Sequence, residues 1–140
     1  FDPQSGRIAA RLEQQGTVGV WDAESGEQVA TLPGPAVVNA LAYGSDGSRI
    51  VTAGADGMVR VWDARTGDQD FELRGHGTNV QAVAFSPDGS RLASVGSNGL
   101  VRVWALGLDD LISIAERRLT RSFTDEECRQ FLDQDRCPAA

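Results

Sequence analysis

The chain contains a single histidine, His76, and this is the residue whose type most readily suggests chemistry. A histidine that acts as a general base needs a nucleophile or an acid positioned beside it. The surrounding stretch GHGTNV (75–80) lacks the third glycine of a dinucleotide-binding loop, and a strand is predicted where a helix should follow. We therefore expect His76 to be structural rather than catalytic.

The other reactive or charged groups are also expected to be structural. The sequence has no G-x-S-x-G, no HExxH and no calcium-loop motif. The acid pairs at 109–110 and 126–127 lie in the first turns of predicted helices, where carboxylates interact favourably with the helix dipole. Two cysteines, Cys128 and Cys137, are too few for a zinc site. The sequence is compatible both with one disulfide between them and with two free thiols. We expect no enzyme activity, no metal and no cofactor.

Composition restricts the classes of partner. The 140 residues carry a formal net charge of −7, whereas a surface that binds nucleic acid or an anionic membrane needs a basic footprint. No run of eighteen apolar residues is present, so no membrane-spanning helix is predicted. We expect a cytoplasmic protein that binds neither nucleic acid nor membrane.

An internal repeat organises most of the chain. Phe1, Tyr43 and Phe85 are each 42 residues apart, and three tryptophans, Trp21, Trp62 and Trp104, follow at nearly the same spacing. The words FDPQSGRI, YGSDGSRI and FSPDGSRL begin the three copies, and TVGVWD, MVRVWD and LVRVWA lie further along them. A fixed period near 40 residues with strand patterning indicates a repeat architecture.

Each copy reads as short strands separated by glycine-containing turns. The alternation of Val59 and Val61 with Arg60 and Trp62 is typical of a strand with two distinct faces. In the second copy the four strands, which we letter a to d, are predicted at 37–43, 49–53, 58–63 and 69–73.

The VWD words and the Gly75-His76 pair resemble those of WD-repeat β-propellers, over roughly residues 1–106. This resemblance implies an all-β fold in which each unit is a blade of four antiparallel strands around a central channel. It also implies a buried hydrogen-bond set of His, Ser or Thr, Asp and Trp. The positions that match this set are His76, Ser94, Asn98 and Trp104 in the third unit, Thr52, Asp56 and Trp62 in the second, and Trp21 in the first.

The repeat pattern predicts four segments. Residues 1–33 form an incomplete blade with strands b, c and d, and 34–75 a complete blade. Residues 76–106 form a blade that lacks its outer strand, and 107–140 a C-terminal helical cap. In that cap, apolar residues over 108–119 have helical spacing, and the stretch TDEE from Thr124 provides a capping box for a second helix, so a short α-helical hairpin is expected.

The resemblance further implies a function in protein recognition. One face of such a propeller is built from the b–c and d–a loops, and we take it as the candidate interface. Its candidate residues are Thr17, Met58, Leu100, Arg74, Asn79 and Asn98.

The helical extension is similar to that of bacterial WD-repeat regulatory proteins. We therefore expect a scaffold or sensor that forms the C-terminal part of a larger bacterial signalling protein. The alternative is a structural propeller in which several copies of this chain complete one ring as a homo-oligomer.

Overall fold

The computed structural model describes residues 1–4, 6–12, 16–34, 37–107 and Ile112. Within these residues the chain forms short strands joined by turns of a few residues. The strands are β1 (Arg7–Arg11), β2 (Val18–Asp22), β3 (Gln28–Leu32), β4 (Val38–Tyr43), β5 (Arg49–Gly54), β6 (Met58–Asp63), β7 (Gln69–Arg74), β8 (Val80–Phe85), β9 (Arg91–Gly96) and β10 (Val101–Ala105).

The strands form three antiparallel sheets in chain order. The first sheet contains β1, β2 and β3, the second contains β4 to β7, and the third contains β8, β9 and β10. The all-β fold expected from the sequence is thereby confirmed, and the four strands predicted for the second copy agree with β4 to β7 to within one residue at each end. The predicted helical hairpin lies outside the described residues.

The two middle strands of the second sheet, β5 and β6, are buried on both faces and carry apolar side chains on both sides. Ile50 and Trp62 belong to one apolar cluster, which includes Val20 of the first sheet. Val61 belongs to another, together with Leu92 of the third sheet. Successive side chains of a strand point to opposite faces, so the two clusters lie on opposite sides of the second sheet.

Equivalent carbonyl groups tie neighbouring sheets together. Val38 begins β4 and Val80 begins β8, and each strand has a bulge directly after this valine. Arg11 Nη1 donates to the Val38 carbonyl at 3.1 Å, and Asn39 Nδ2 donates to the Val80 carbonyl at 2.8 Å. The same backbone position therefore receives a side-chain hydrogen bond from the preceding sheet at both junctions.

Two loops meet at one end of the second and third sheets. Gly57, in the turn before β6, has a φ of 82°, and a Cβ on it would lie 2.9 Å from the carbonyl oxygen of Thr78 in the loop before β8. On the third sheet, Ser97 N donates to the Asn79 carbonyl at 2.8 Å. A glycine at 57 thus allows the two loops to approach closely enough to form one surface.

Turn aspartates occupy the opposite end of the sheets. Asp22, Asp46, Asp63 and Asp88 each accept hydrogen bonds from backbone N–H groups of their own turn. The Ser86 hydroxyl, followed by the N–H and hydroxyl of Ser90, lowers the pKa of Asp88 to about 2. These carboxylates are therefore engaged in turn structure.

Candidate functional site

Five of the six candidate interface residues lie together at the end where the loops meet. Met58 and Arg74 are directly opposite each other on β6 and β7. Asn98 lies in the turn that the Ser97–Asn79 hydrogen bond joins to the neighbouring loop, and Leu100 follows this turn. We call Met58, Arg74, Asn79, Asn98 and Leu100 the loop surface. Thr17 occupies the corresponding position of the first sheet, and none of the described hydrogen bonds joins it to these five.

The members of the loop surface differ in the exposure and contacts of their side chains. The Arg74 side chain is 75% exposed, although its Nε donates to Glu72 Oε1 at 2.7 Å. Leu100 is 42% exposed. The sequence predicts an exposed Met58, but the structure shows it half-buried, and Arg60 Nη2 lies 3.4 Å from its sulfur.

An ion cluster around a buried arginine, which sequence reasoning missed, lies next to Met58. Arg60 has a side chain that is only 7% exposed, and its Nη2 lies 2.7 Å from Asp56 Oδ2 and 3.1 Å from Glu72 Oε2. Burial tends to raise the pKa of Asp56, but the hydrogen bond from Arg60, the Met58 N–H and the Arg60 charge outweigh it and leave the pKa below its usual value. Two carboxylates compensate the buried guanidinium, as a buried charge requires.

The equivalent arginine of the third sheet has no such partners. Arg102 follows Val101 as Arg60 follows Val59, but Asn98 stands where the second sheet has Asp56. Its Nε is buried and finds no acceptor among the described residues. The guanidinium lies 5.9 Å from the centre of the Trp104 ring, which is a cation–π contact.

Part of the predicted hydrogen-bond set forms around Ser94. His76 Nε2 lies 2.7 Å from Ser94 Oγ, and Trp104 Nε1 donates to the same oxygen at 2.8 Å. In the second sheet Trp62 Nε1 donates to Thr52 Oγ1 at 2.9 Å. The indoles of Trp62 and Trp104 are thus each fixed by a hydroxyl on the neighbouring strand.

The remaining three members of the predicted set are placed otherwise. Asn98 Oδ1 accepts from the Leu100 N–H at 3.1 Å and has no described hydrogen bond to His76. Asp56 pairs with Arg60. The indole of Trp21 covers Gly19 so closely that a side chain at position 19 would clash with it.

The His76–Ser94 pair does not form a usable catalytic site. A histidine within hydrogen-bond distance of a serine is the geometry of a base and its nucleophile. Ser94 is completely buried, however, and its oxygen also accepts the hydrogen bond from Trp104. A substrate has no access to this hydroxyl. Burial first, and the positive charge of Arg102 second, lower the pKa of His76.

The described residues contain no cluster of three or more His, Cys, Asp or Glu side chains that could hold a metal ion. In the same part of the chain, no helix has the length and hydropathy needed to cross a membrane. Cys128 and Cys137 lie outside the described residues.

The chain matches one known protein family. The family model described as WD domain, G-beta repeat matches residues 26–63 and 67–105, which together make up more than half of the chain. Each matched stretch begins just before the last strand of one sheet and ends with the third strand of the next, so each spans two sheets. No curated protein matches the chain.

Proposed function

The chain belongs to the WD40 repeat family, and from this premise we propose that it is a scaffold or sensor segment within a larger bacterial regulatory protein. WD40 repeats in general serve as non-catalytic scaffolds for protein–protein interactions. The sequence similarity of residues 107–140 to the helical extensions of bacterial regulatory propellers supports the more specific role.

The observation that carries the proposal is a difference in burial between equivalent residues. Val59 and Val61 of β6 are 0% exposed because the third sheet covers them. Val101 and Val103, which occupy the same positions of β10, are 59% and 65% exposed. Exposed apolar faces of this kind mark protein-interaction sites, and here another blade would fit as the third sheet fits the second.

In our proposal the covering blades belong to the same polypeptide, so that residues 1–33, 34–75 and 76–106 are adjoining blades of one ring. The loop surface, together with Thr17, then lies at one face of the ring and contacts the protein partner. The net charge of −7 favours a protein partner over a nucleic acid or an anionic membrane.

A second candidate, the self-assembling propeller, draws support from the same valines. Two or more copies of the chain would bury each other's exposed faces and complete a closed ring. The two candidates differ in whether the blade that packs on the exposed valines belongs to the same polypeptide or to another copy of the chain.

Native mass spectrometry followed by denaturing mass measurement distinguishes them. The first candidate predicts a denatured mass larger than 14.9 kDa, because these residues are then part of a longer polypeptide that supplies the other blades. The second predicts only multiples of 14.9 kDa. A folded, lone monomer would contradict both.

A variant pair makes the test specific to the exposed face. Val103→Asp places a charge on that face and should prevent a blade from packing there, whether the blade belongs to the same polypeptide or to a second copy. Ser97→Asp adds the same charge at an exposed turn residue and should leave this packing unchanged.

A further inference from the structure

Equivalent glycines of the second and third sheets lie under different polar groups. Gly54 ends β5 and Gly96 ends β9, 42 residues further along the chain. A Cβ on Gly54 would clash with Asp56 Oδ1 and would lie 3.4 Å from Arg60 Nη1. In the second sheet a carboxylate and a guanidinium therefore meet over this glycine, and their charges compensate each other.

The third sheet places neutral groups over the equivalent glycine. A Cβ on Gly96 would lie 2.8 Å from His76 Nδ1 and 3.1 Å from Thr78 Oγ1. His76 is only 5% exposed, and neither its Nδ1 nor the Thr78 hydroxyl has a hydrogen-bond partner within the described residues. Asn98 Oδ1 lies over the same glycine, but it already accepts from the Leu100 N–H. Two buried polar atoms are thus directed at one small space without a partner.

Arg102 brings a positive charge to this face of the third sheet. It is directly opposite Ser94, two residues before Gly96, so all three lie on one face. The guanidinium packs against Gly75, the residue before His76, because a Cβ on Gly75 would lie 3.5 Å from Arg102 Nε. This Nε is buried without an acceptor in the described part of the chain, and none of the described ion pairs includes Arg102.

The hydrogen bonds of Ser94 determine that the imidazole donates toward the space over Gly96. Ser94 Oγ accepts from Trp104 Nε1, and the described acceptor for its own proton is His76 Nε2. A neutral imidazole that accepts at Nε2 carries its proton on Nδ1. His76 Nδ1–H, the Thr78 hydroxyl and Arg102 Nε–H are therefore donors without a described acceptor.

We propose that His76, Thr78 and Arg102 form a binding site for a small monovalent anion of the size of chloride, over Gly96. Two donors that each lie about 3 Å from one point can share a single acceptor. The anion accepts from His76 Nδ1–H and the Thr78 hydroxyl, and its charge compensates the guanidinium. We call these three residues the anion site.

The charge of Arg102 favours an anion over a water molecule as the occupant. Water accepts hydrogen bonds from the same donors, but it supplies no counter-charge, which a partly buried guanidinium requires. In the second sheet that counter-charge is the carboxylate of Asp56, whereas the third sheet has the neutral Asn98 at this position. Asn98 is exposed, so rotation of its side chain opens the space to solvent.

Thermal melts of the 140-residue chain at constant ionic strength test the site. Sodium chloride is replaced stepwise by sodium gluconate, whose anion is too large for a site made of buried groups, while the screening of the net charge of −7 stays the same. The melting temperature should be about 5 °C higher in about 200 mM chloride than in gluconate, for a site half-filled at about 20 mM.

Nuclear magnetic resonance of the imidazole shows whether chloride binds at this place. His76 is the only histidine of the chain, so its ring signals need no further assignment. These signals should shift as chloride is added and should saturate at the same concentration as the melting temperature. Chloride that binds elsewhere on the chain would leave them unchanged.

Asn98→Asp tests the site by filling it. The new carboxylate would lie over Gly96 as Asp56 lies over Gly54, so the dependence of the melting temperature on chloride should disappear. Ser97→Asp adds the same charge at the neighbouring exposed position and should retain the dependence. General effects of the two salts on protein stability are common to both variants, so the difference between them reports the site alone.

Arg102→Gln tests the site by removing its charge and should also abolish the dependence on chloride. The matched control is Arg65→Gln, which removes an exposed arginine from the turn after β6 and should leave the dependence unchanged. If Arg102→Gln does not fold, the comparison of Asn98→Asp with Ser97→Asp still decides the matter.

Three results would overturn the proposal. One is an equal melting temperature in chloride and in gluconate, which would leave water as the occupant. The others are a chloride dependence that persists in Asn98→Asp and a dependence without a shift of the His76 signals. The proposal goes beyond the proposed function because it concerns a site within the third sheet, and its failure would leave the mass-spectrometry test of ring closure unaffected.

Discussion

Burial makes His76 a structural residue rather than a catalytic one. The imidazole is enclosed by the third sheet and bonded through Nε2 to Ser94, while its Nδ1 is buried without a described partner. Both the loss of hydration and the nearby charge of Arg102 disfavour a second proton on the ring. The residue therefore stabilises the fold as a neutral group.

The first prediction concerns pH. The folded pKa of His76 lies below the ordinary value of 6.5, so between these two values the unfolded chain binds more protons than the folded chain. Stability should therefore be complete above about pH 7 and should fall as pH decreases below the unfolded value. Thermal melts between about pH 8 and pH 5.5 measure this, above the range where carboxylates titrate.

The control is His76→Gln, which removes the only histidine of the chain. In this variant the melting temperature should lose its dependence on pH over that range. A dependence that persists in the variant would mean that another group causes it.

The second prediction concerns Asn98. Its Oδ1 and His76 Nδ1 each lie 2.8 Å from the point where a Cβ on Gly96 would be, so they face the same small space. Asn98→Asp would give Arg102 the kind of carboxylate that Asp56 gives Arg60, and we expect a gain of about 1 kcal/mol in the free energy of unfolding. Denaturant titration measures the gain.

The same substitution should raise the pKa of His76, because a negative charge nearby favours the imidazolium. Ser97→Asp, which adds a charge at the neighbouring exposed position, is the matched control and should change neither quantity appreciably. Loss of stability in Asn98→Asp would show that the carboxylate does not reach Arg102.

At the scale of single strands, the junctions between sheets depend on bulge residues. Asn39 occupies the bulge of β4 and donates to both Asn79 Oδ1 and the Val80 carbonyl. Gln81 occupies the equivalent bulge of β8, and no hydrogen bond of its side chain occurs within the described residues. The side chain at the bulge position is thus hydrogen-bonded to the next sheet at one junction, and it makes no described hydrogen bond at the following junction.

This difference gives the third prediction. Asn39→Ala should destabilise the chain by about 0.5–1 kcal/mol, the net value of a side-chain hydrogen bond at a partly exposed site. Gln81→Ala should have no measurable effect in the monomer. Equal losses in both variants would indicate an intrinsic effect of the bulge rather than a bond between sheets.

The strands themselves could be predicted from the sequence, whereas the contacts between them could not. The period of 42 residues, the glycine turns and the alternation around Val59 were sufficient to locate β4 to β7. The Arg60–Glu72 pair depends on the register of β6 and β7, which a bulge between Val61 and Trp62 alters. A local pattern does not contain that information.

The loop surface was partly predictable for the same reason. The positions of Met58 and Leu100 at the ends of strands follow from the repeat. The partial burial of Met58 and the contact of its sulfur with Arg60 Nη2 do not, because they depend on side-chain conformation. Sequence reasoning thus placed these residues at the ends of strands but did not predict which of their side chains are exposed.

At the scale of the whole molecule, stability comes from the packing of each sheet on its neighbour. The second sheet is covered on both sides, whereas the outward face of the third sheet remains exposed at Val101 and Val103. Adjacent units of a repeat protein stabilise one another through such interfaces. The effect of a substitution should therefore depend on whether the neighbouring unit is present.

Val61 and Val103 provide the fourth prediction, because they are the same residue at equivalent positions and the face that carries them is covered in the second sheet and exposed in the third. In the monomeric chain Val61→Ala should cost about 2–3 kcal/mol, since it leaves a cavity between two sheets. Val103→Ala should cost less than about 0.5 kcal/mol, as exposed substitutions usually do. Denaturant titrations at low protein concentration give both values.

In an assembly that covers the third sheet, the two costs should converge, because Val103 then occupies the environment that Val61 has in the monomer. The difference between the two variants therefore measures, in one number, how completely a neighbouring blade packs on this face. If Val103→Ala remains nearly neutral in the assembled protein, the assembly is held by contacts elsewhere, and the exposed valines are not the interface that closes the ring.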